Sequence, residues 1–171
     1  IDLTRVYSTG MSNGGYMSLL LACQLSDKIA AIASVTGSMT PQTYDLCNPQ
    51  HPTPVLQLHG TSDQVVPYLG DPIWTISIND ILEYWIDYNN CNTSSIIISI
   101  PDVNTFDGST VERETWLNGD NSVVVDHLKI IGGGHDWFGV SGNMDIYASL
   151  EIWKFFSKYD INGLIVTNTD V

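Results

Sequence analysis

Basic residues are scarce: six Lys and Arg stand against 19 Asp and Glu among 171 residues, a formal net charge of −13. A polyanion of this kind repels phosphate backbones and anionic lipid surfaces, which argues against a nucleic-acid or membrane-surface partner. The acids form no run of five; Asp102, Asp107, Glu112, Glu114, Asp120 and Asp126 are spread as on a solvated surface rather than gathered in an acidic tail. No stretch of 18 apolar residues occurs, so no helical membrane span is expected, and the opening "IDLTRVYSTG" has neither the basic end nor the apolar stretch of a signal peptide. Cysteine is limited to Cys23, Cys47 and Cys91, without C-x-x-C spacing or a nearby histidine pair, which argues against a structural zinc site. The run "DVNTFDG" puts Phe106 at a ligand position and Gly108 one place late, so it is no EF-hand calcium loop, and no metal is expected. Internal repeats and low-complexity blocks are also missing.

What is present suits one globular domain: 43% of the residues are hydrophobic, enough for a core of useful size. Arg5 to Ser8 is a short β-prone run ending at Gly10, after which Met17, Leu20, Leu21 and Gln24 recur at helical spacing. Ala30 to Val35 and Val55 to Leu58 read as buried strands, with a Pro-, Asn- and Thr-rich loop between them. Ser77 and Asp80 form a capping box ahead of the helical stripe Ile78, Ile81, Leu82, Trp85 and Tyr88. Three further strands are expected at Ile96 to Ile100, Val111 to Leu117 and Val123 to Ile131, then a helix from about Met144 to Lys158. Apolar, non-alternating strands separated by helices predict an α/β class with a mostly parallel sheet covered on both faces. Residues 1–160 are expected to form the domain and 161–171 a tail or linker. Cys23 falls among leucines on the first helix and reads as a small buried thiol. That leaves Cys47 with Cys91 as the expected disulfide in an oxidising compartment.

The chemistry is carried by "GMSNGG", residues 10–15. A nucleophilic serine at a strand-to-helix turn must project its hydroxyl from a tight, strained bend, which calls for Gly10 and Gly14 two positions either side of Ser12. Gly15 would let the helix pack close to the strand. Such a serine needs an imidazole base and a carboxylate to orient it, in the chain order Ser, Asp, His for this kind of fold. Asp63 in "LHGTSDQVVP" and His135 in "IIGGGHDWFG" each lie just past a strand end, where parallel-sheet sites are built. His59 is the rival base, but its place on the strand itself favours a structural hydrogen bond. His51 and His127 read as ordinary surface or pairing residues.

Four blocks in this order, "VYSTGMSNGGYMSLLLAC", "IAAIASVTGSM", "PVLQLHGTSDQVVPY" and "IIGGGHDWFG", resemble the secreted α/β-hydrolase family of polyhydroxybutyrate depolymerases and feruloyl and acetylxylan esterases. The resemblance implies the second half of an α/β-hydrolase fold, with Ser12 as nucleophile, Asp63 as acid and His135 as base, no cofactor, and a secreted or periplasmic location. Phe138 departs from the family, which usually has proline after the tryptophan of the histidine loop.

An oxyanion hole needs two donors. The Asn13 N–H supplies one; the other normally comes from the loop after the third strand, which precedes the elbow. With the elbow only nine residues into the chain, the N-terminal strands are expected to lie outside it. The Arg5 to Ser8 edge is then expected to pair with them or with another chain. Trp137, Tyr68 and Trp74 are expected to offer an apolar wall to an acyl or aryl group; for Trp74 and Phe138, packing is the alternative. Trp85, Trp116 and Trp153 follow structural periodicity. The expected function is hydrolysis of polyester, plant-wall or short-chain esters through an acyl-enzyme. The alternatives are a peptidase or thioesterase on the same residues, or an incomplete fragment that assembles with another chain.

Overall fold

The computed structural model describes residues 1–165. The strands are β1 (Tyr7–Met11), β2 (Ala31–Val35), β3 (Val55–Gly60), β4 (Ile96–Ile100), β5 (Thr110–Trp116), β6 (Val125–Ile131), β7 (Tyr159–Asp160) and β8 (Gly163–Leu164). The helices are α1 (Asn13–Gln24), α2 (Pro41–Asp45), α3 (Ile78–Tyr88) and α4 (Ala148–Phe156). One sheet runs in the order β1-β2-β3-β6-β5-β4. β1, β2, β3 and β6 are parallel; β5 runs antiparallel beside β6, and β4 pairs antiparallel with β5 at the far edge. This is the mainly parallel, helix-covered sheet of an α/β-hydrolase fold. No helix among the described residues is long and apolar enough to cross a membrane.

Alternation along the central strands divides the core into two layers. Ala31, Ala33, Val35, Leu56, Leu58, Leu128 and Ile130 face α4, whose Ala148, Ile152, Phe155 and Phe156 cover them. Ile32, Val55 and Val125 point the other way, toward Leu19 and Ala22 of α1 and Ile78, Ile81, Leu82 and Trp85 of α3. Each Val, Leu, Ile or Phe side chain among these contributes about 1.5–3 kcal/mol of transfer free energy once buried. Ser77 starts α3 as expected: its hydroxyl accepts from the Asp80 N–H at 3.1 Å and donates to the Asp80 carboxylate at 2.7 Å.

Several expectations change. The strand expected at Arg5 to Ser8 lies at Tyr7–Met11, running through Gly10 up to the turn, and it is this segment that forms the sheet edge. The inward face of α1 is Gly15, Ser18, Leu19, Ala22 and Cys23, whereas Met17 of the expected stripe is exposed. Gly15 sets that face, because a Cβ there would lie 2.6 Å from Ser34 Oγ and 2.9 Å from Gly37 Cα. The last helix starts at Ala148 rather than Met144, since the residues ahead of it brace a loop. Asp145 accepts from the Val103 and Asn104 N–H groups, and the Met144 N–H goes to Asp107. Such side-chain bonds to backbone compete with helix formation. Of the expected tail, Gly163–Leu164 instead pairs with Tyr159–Asp160 as a short hairpin; residues 166–171 lie outside the described residues.

The disulfide joins Cys23 to Cys47, not Cys47 to Cys91. The inward face of α1 carries Cys23 to the loop after α2, with the two Cα atoms 4.7 Å apart. Cys91 is the buried free thiol, packed against the Gly119 turn, and burial pushes its pKa up.

Candidate active site

The turn at Ser12 joins β1 to α1 with φ 55° and ψ −119°, a conformation that L-residues avoid and that stores strain at functional turns. Its N–H is held by Val35 O at 2.8 Å, and its carbonyl receives the Tyr16 N–H at 3.0 Å. The glycine requirement is one-sided. A Cβ on Gly10 would come 2.7 Å from Gly14 Cα, whereas a Cβ on Gly14 would meet open space. Because intrahelical bonding begins at Tyr16, the Asn13 N–H points out of the helix start without an intrahelical partner.

The loop after β3 and the loop after β6 are sewn together. Ser62 N–H donates to Gly133 O, Thr61 N–H to Ile130 O, and Gly132 N–H to the Thr61 hydroxyl, all at 2.9 Å. A Cβ on Gly60 would lie 2.2 Å from Gly133 O, so the approach demands glycine on the β3 side. Gly132 turns the other chain with φ 81°. This junction brings His135 to Asp63: Nδ1–H donates to Asp63 Oδ2 at 2.8 Å, which turns Nε2 away from the carboxylate.

Asp63 is buried, and burial alone would raise its pKa. The His59 and His135 side chains and the N–H groups of Val66 and Val65 outweigh that and hold the carboxyl at about 2. The backbone pair donates to Oδ1 at 2.9 and 2.8 Å. His59 stands 3.4 Å from Oδ2, while its Nε2–H has the closer acceptor Val66 O at 2.9 Å. Its Nδ1 accepts from Gln57 Nε2 at 3.1 Å. Fully buried and bonded at both nitrogens, His59 braces the acid loop and is no base for Ser12.

Ser12, Asn13, Tyr16, Thr40, Val65, Val66 and Trp74 line a cavity of about 420 Å³. Val65 and Val66, just after Asp63, thus share this cavity with the elbow. Among the described residues no hydrogen bond joins Ser12 Oγ to the His135 ring.

The four aromatic residues singled out near the site separate. Trp74 stands at the Ser12 cavity. Tyr68 does not: it is buried behind the acid loop, its hydroxyl donating to His127 Nε2 at 3.0 Å. Trp137 donates to Ser149 Oγ and lines a separate hollow with Thr9, Ile152, Trp153 and Phe156. Phe138 is fully buried core. Trp153, expected to be structural, is exposed beside Trp137. His127, expected to be an ordinary surface or pairing residue, is buried with Nδ1–H on Gln57 O, and burial drives its pKa down to about 3, so the ring is neutral.

Sequence reasoning missed Gln57, His127 and Tyr68 as supports of the acid loop. The signal was available in Gln57 and His59, two polar residues alternating within a strand otherwise apolar enough to be buried. Buried polar groups of that kind are held by hydrogen bonds.

Comparison with known proteins agrees with this architecture. Residues 1–72, which include Ser12 and Asp63, match the Phospholipase/Carboxylesterase family. Feruloyl esterase B of Piromyces equi is 33% identical over 145 residues, covering 79% of this chain and 25% of that protein. A bifunctional acetylxylan esterase/xylanase of Neocallimastix patriciarum is 29% identical, covering 95% and 22%. Feruloyl esterase D of Neurospora crassa is 28% identical, covering 94% and 50%. The chain therefore spans half or less of the length of these relatives. By fold, motif order and relatives, the chain is similar to α/β-hydrolase esterases, among them feruloyl and acetylxylan esterases and a poly(3-hydroxyoctanoate) depolymerase.

Proposed function

We propose that this chain carries the catalytic residues of a serine carboxylic-ester hydrolase. The observation that carries the reading is the 2.8 Å bond from His135 Nδ1 to a buried, ionised Asp63, set at the same sheet end as the strained Ser12 turn. In this reading His135 Nε2 takes the Ser12 hydroxyl proton as Oγ attacks the ester carbonyl. Asp63 stabilises the resulting imidazolium and fixes its orientation. The Asn13 N–H donates to the oxyanion, a contribution of about 10²–10³ in rate for one such donor. The tetrahedral intermediate collapses as His135 returns the proton to the departing alcohol. Water then enters, is deprotonated by the same nitrogen, and releases the acid from Ser12. Every proton is accounted for by His135, so no cofactor enters the scheme.

For the substrate we propose an ester of plant-wall polysaccharide or polyester, supported by relatives named as feruloyl and acetylxylan esterases and as a poly(3-hydroxyoctanoate) depolymerase. A secreted or periplasmic setting is supported by the Cys23–Cys47 disulfide, since such bonds persist in oxidising compartments. The same proposal treats residues 1–160 as part of one domain whose sheet continues past β1, an edge paired on one side only among the described residues. Replacing Ser12 with Ala tests the central step. Turnover of 4-nitrophenyl acetate should fall by about 10⁶, and hydrolysis that survives the substitution would rule the nucleophile out.

A further inference from the structure

Trp74 reaches the Ser12 cavity from the short Asp71–Thr75 loop. That loop closes on itself: Asp71 N–H donates to Thr75 O at 2.8 Å, Ile73 N–H to the Asp71 side chain at 2.9 Å, and Trp74 N–H to Asp71 O at 3.2 Å. Its tip is apolar and outward, with Ile73 85% and Trp74 42% exposed. Self-closure fixes the shape of the loop but not its position over the cavity; position comes from what ties it down. On the side of β2, Ile76 N–H donates to Met39 O at 2.9 Å, and the buried Ser38 hydroxyl donates to Ile76 O at 2.6 Å. At the base of the segment Ile78 N–H donates to Tyr68 O at 2.9 Å, and a further tie is side chain to side chain: the Tyr16 hydroxyl bonds the Thr75 hydroxyl. Thr75 is buried, and Tyr16 lies one helical turn beyond Ser12, on the same face of α1. Burial raises the pKa of Tyr16, so its hydroxyl stays protonated and serves as a neutral hydrogen-bonding group.

Building on the ester-hydrolase reading, we propose that the Tyr16–Thr75 hydrogen bond is a specificity-determining latch, anchoring the Asp71–Thr75 loop to the nucleophile's own helix so that Trp74 walls the acyl side of the cavity. Tyr16 and Thr75 are positioning residues acting through Trp74. A cavity of about 420 Å³ greatly exceeds an acetyl group. Trp74 therefore touches bulky aryl or long acyl groups and leaves acetyl largely untouched.

Thr75→Val removes the hydroxyl and keeps the shape. The probes are 4-nitrophenyl cinnamate and 4-nitrophenyl acetate, which share a leaving group and differ in acyl bulk. With one neutral hydrogen bond lost, the cinnamate-to-acetate ratio of kcat/KM should fall roughly five- to tenfold, mainly through KM for cinnamate. Tyr16→Phe should shift the ratio in the same direction, and Thr75→Ser, which retains the hydroxyl, should restore it. In a Trp74→Ala background, Thr75→Val should cost nothing further on cinnamate. An unchanged ratio, equal losses on both esters, or losses that simply add to those of Trp74→Ala would overturn the latch. Failure of the hydrolase reading shows separately, as acetate turnover indifferent to Ser12→Ala. The latch then still has a readout in acrylamide quenching of the Trp74 fluorescence, taken as the difference from Trp74→Phe. Quenching should rise in Thr75→Val, and unchanged quenching would overturn the proposal.

Discussion

Replacing Asp63 with Asn separates the electrostatic role of this residue from its shape. In the native protein Oδ1 takes the Val65 and Val66 N–H groups and Oδ2 takes His135 Nδ1–H. The carboxyl is thereby held at about 2 against an ordinary 3.8, and a displacement of that size corresponds to about 2 kcal/mol of folding stability. Because the folded-state pKa is the lower one, that stability is fully present above pH 4 and is lost as pH falls toward 2. An amide can keep its oxygen on Val65 and Val66, but its NH₂ then faces His135 Nδ1. Two donors cannot share that position, so the ring must move its proton to Nε2, the nitrogen that should receive the proton of Ser12. The expected result is a fall in kcat of about 10⁴. Alongside it, unfolding by urea should show a deficit of about 2 kcal/mol at pH 7 that closes as the comparison is carried from pH 4 to pH 2. Retention of more than about a tenth of kcat, or a deficit independent of pH, would refute this role for Asp63.

Two further expectations concern the scaffold. Cys23 and Cys47 close a loop of 24 residues, so Cys47→Ser in the oxidised protein should cost about 3 kcal/mol, whereas Cys91→Ser should leave the disulfide in place; chemical unfolding with a thiol count checks both. His127 is held neutral at about 3 against an ordinary 6.5, so the unfolded chain binds a proton that the folded one refuses. Stability should therefore decline as pH drops from about 6.5 toward 3, and His127→Gln should flatten that decline in urea melts.

The parts of this molecule legible in its sequence are those fixed by local chemistry. Glycines mark where the backbone must turn or approach closely, so "GMSNGG" announced a strand-to-helix turn and "GGGH" a loop able to bend toward its neighbour. The structure accordingly brings His135 onto Asp63 and gives Ser12 a positive φ. Ser77 and Asp80 marked the start of α3 for the same reason. What could not be read depends on distance across the fold. Whether Cys47 meets Cys23 or Cys91 turns on which face of α1 is inward, and Gly15, rather than the leucine spacing, decides that. Tyr68 and Trp74 lie six residues apart in similar sequence, yet one backs the acid loop and the other opens onto the cavity. The start of α4 was missed because Asp107 and Asp145 take backbone donors from distant loops, a bonding pattern with no local mark.

The most direct test is to trap the acyl group on its residue. Brief exposure to a slowly hydrolysed ester, acid quenching and peptide mass spectrometry should place one acyl increment on the peptide containing Ser12. The increment should be absent in Ser12→Ala and should persist longer in His135→Gln, where water is poorly activated. An increment on another residue, or turnover with no acylated serine at any quench time, would contradict hydrolysis through Ser12.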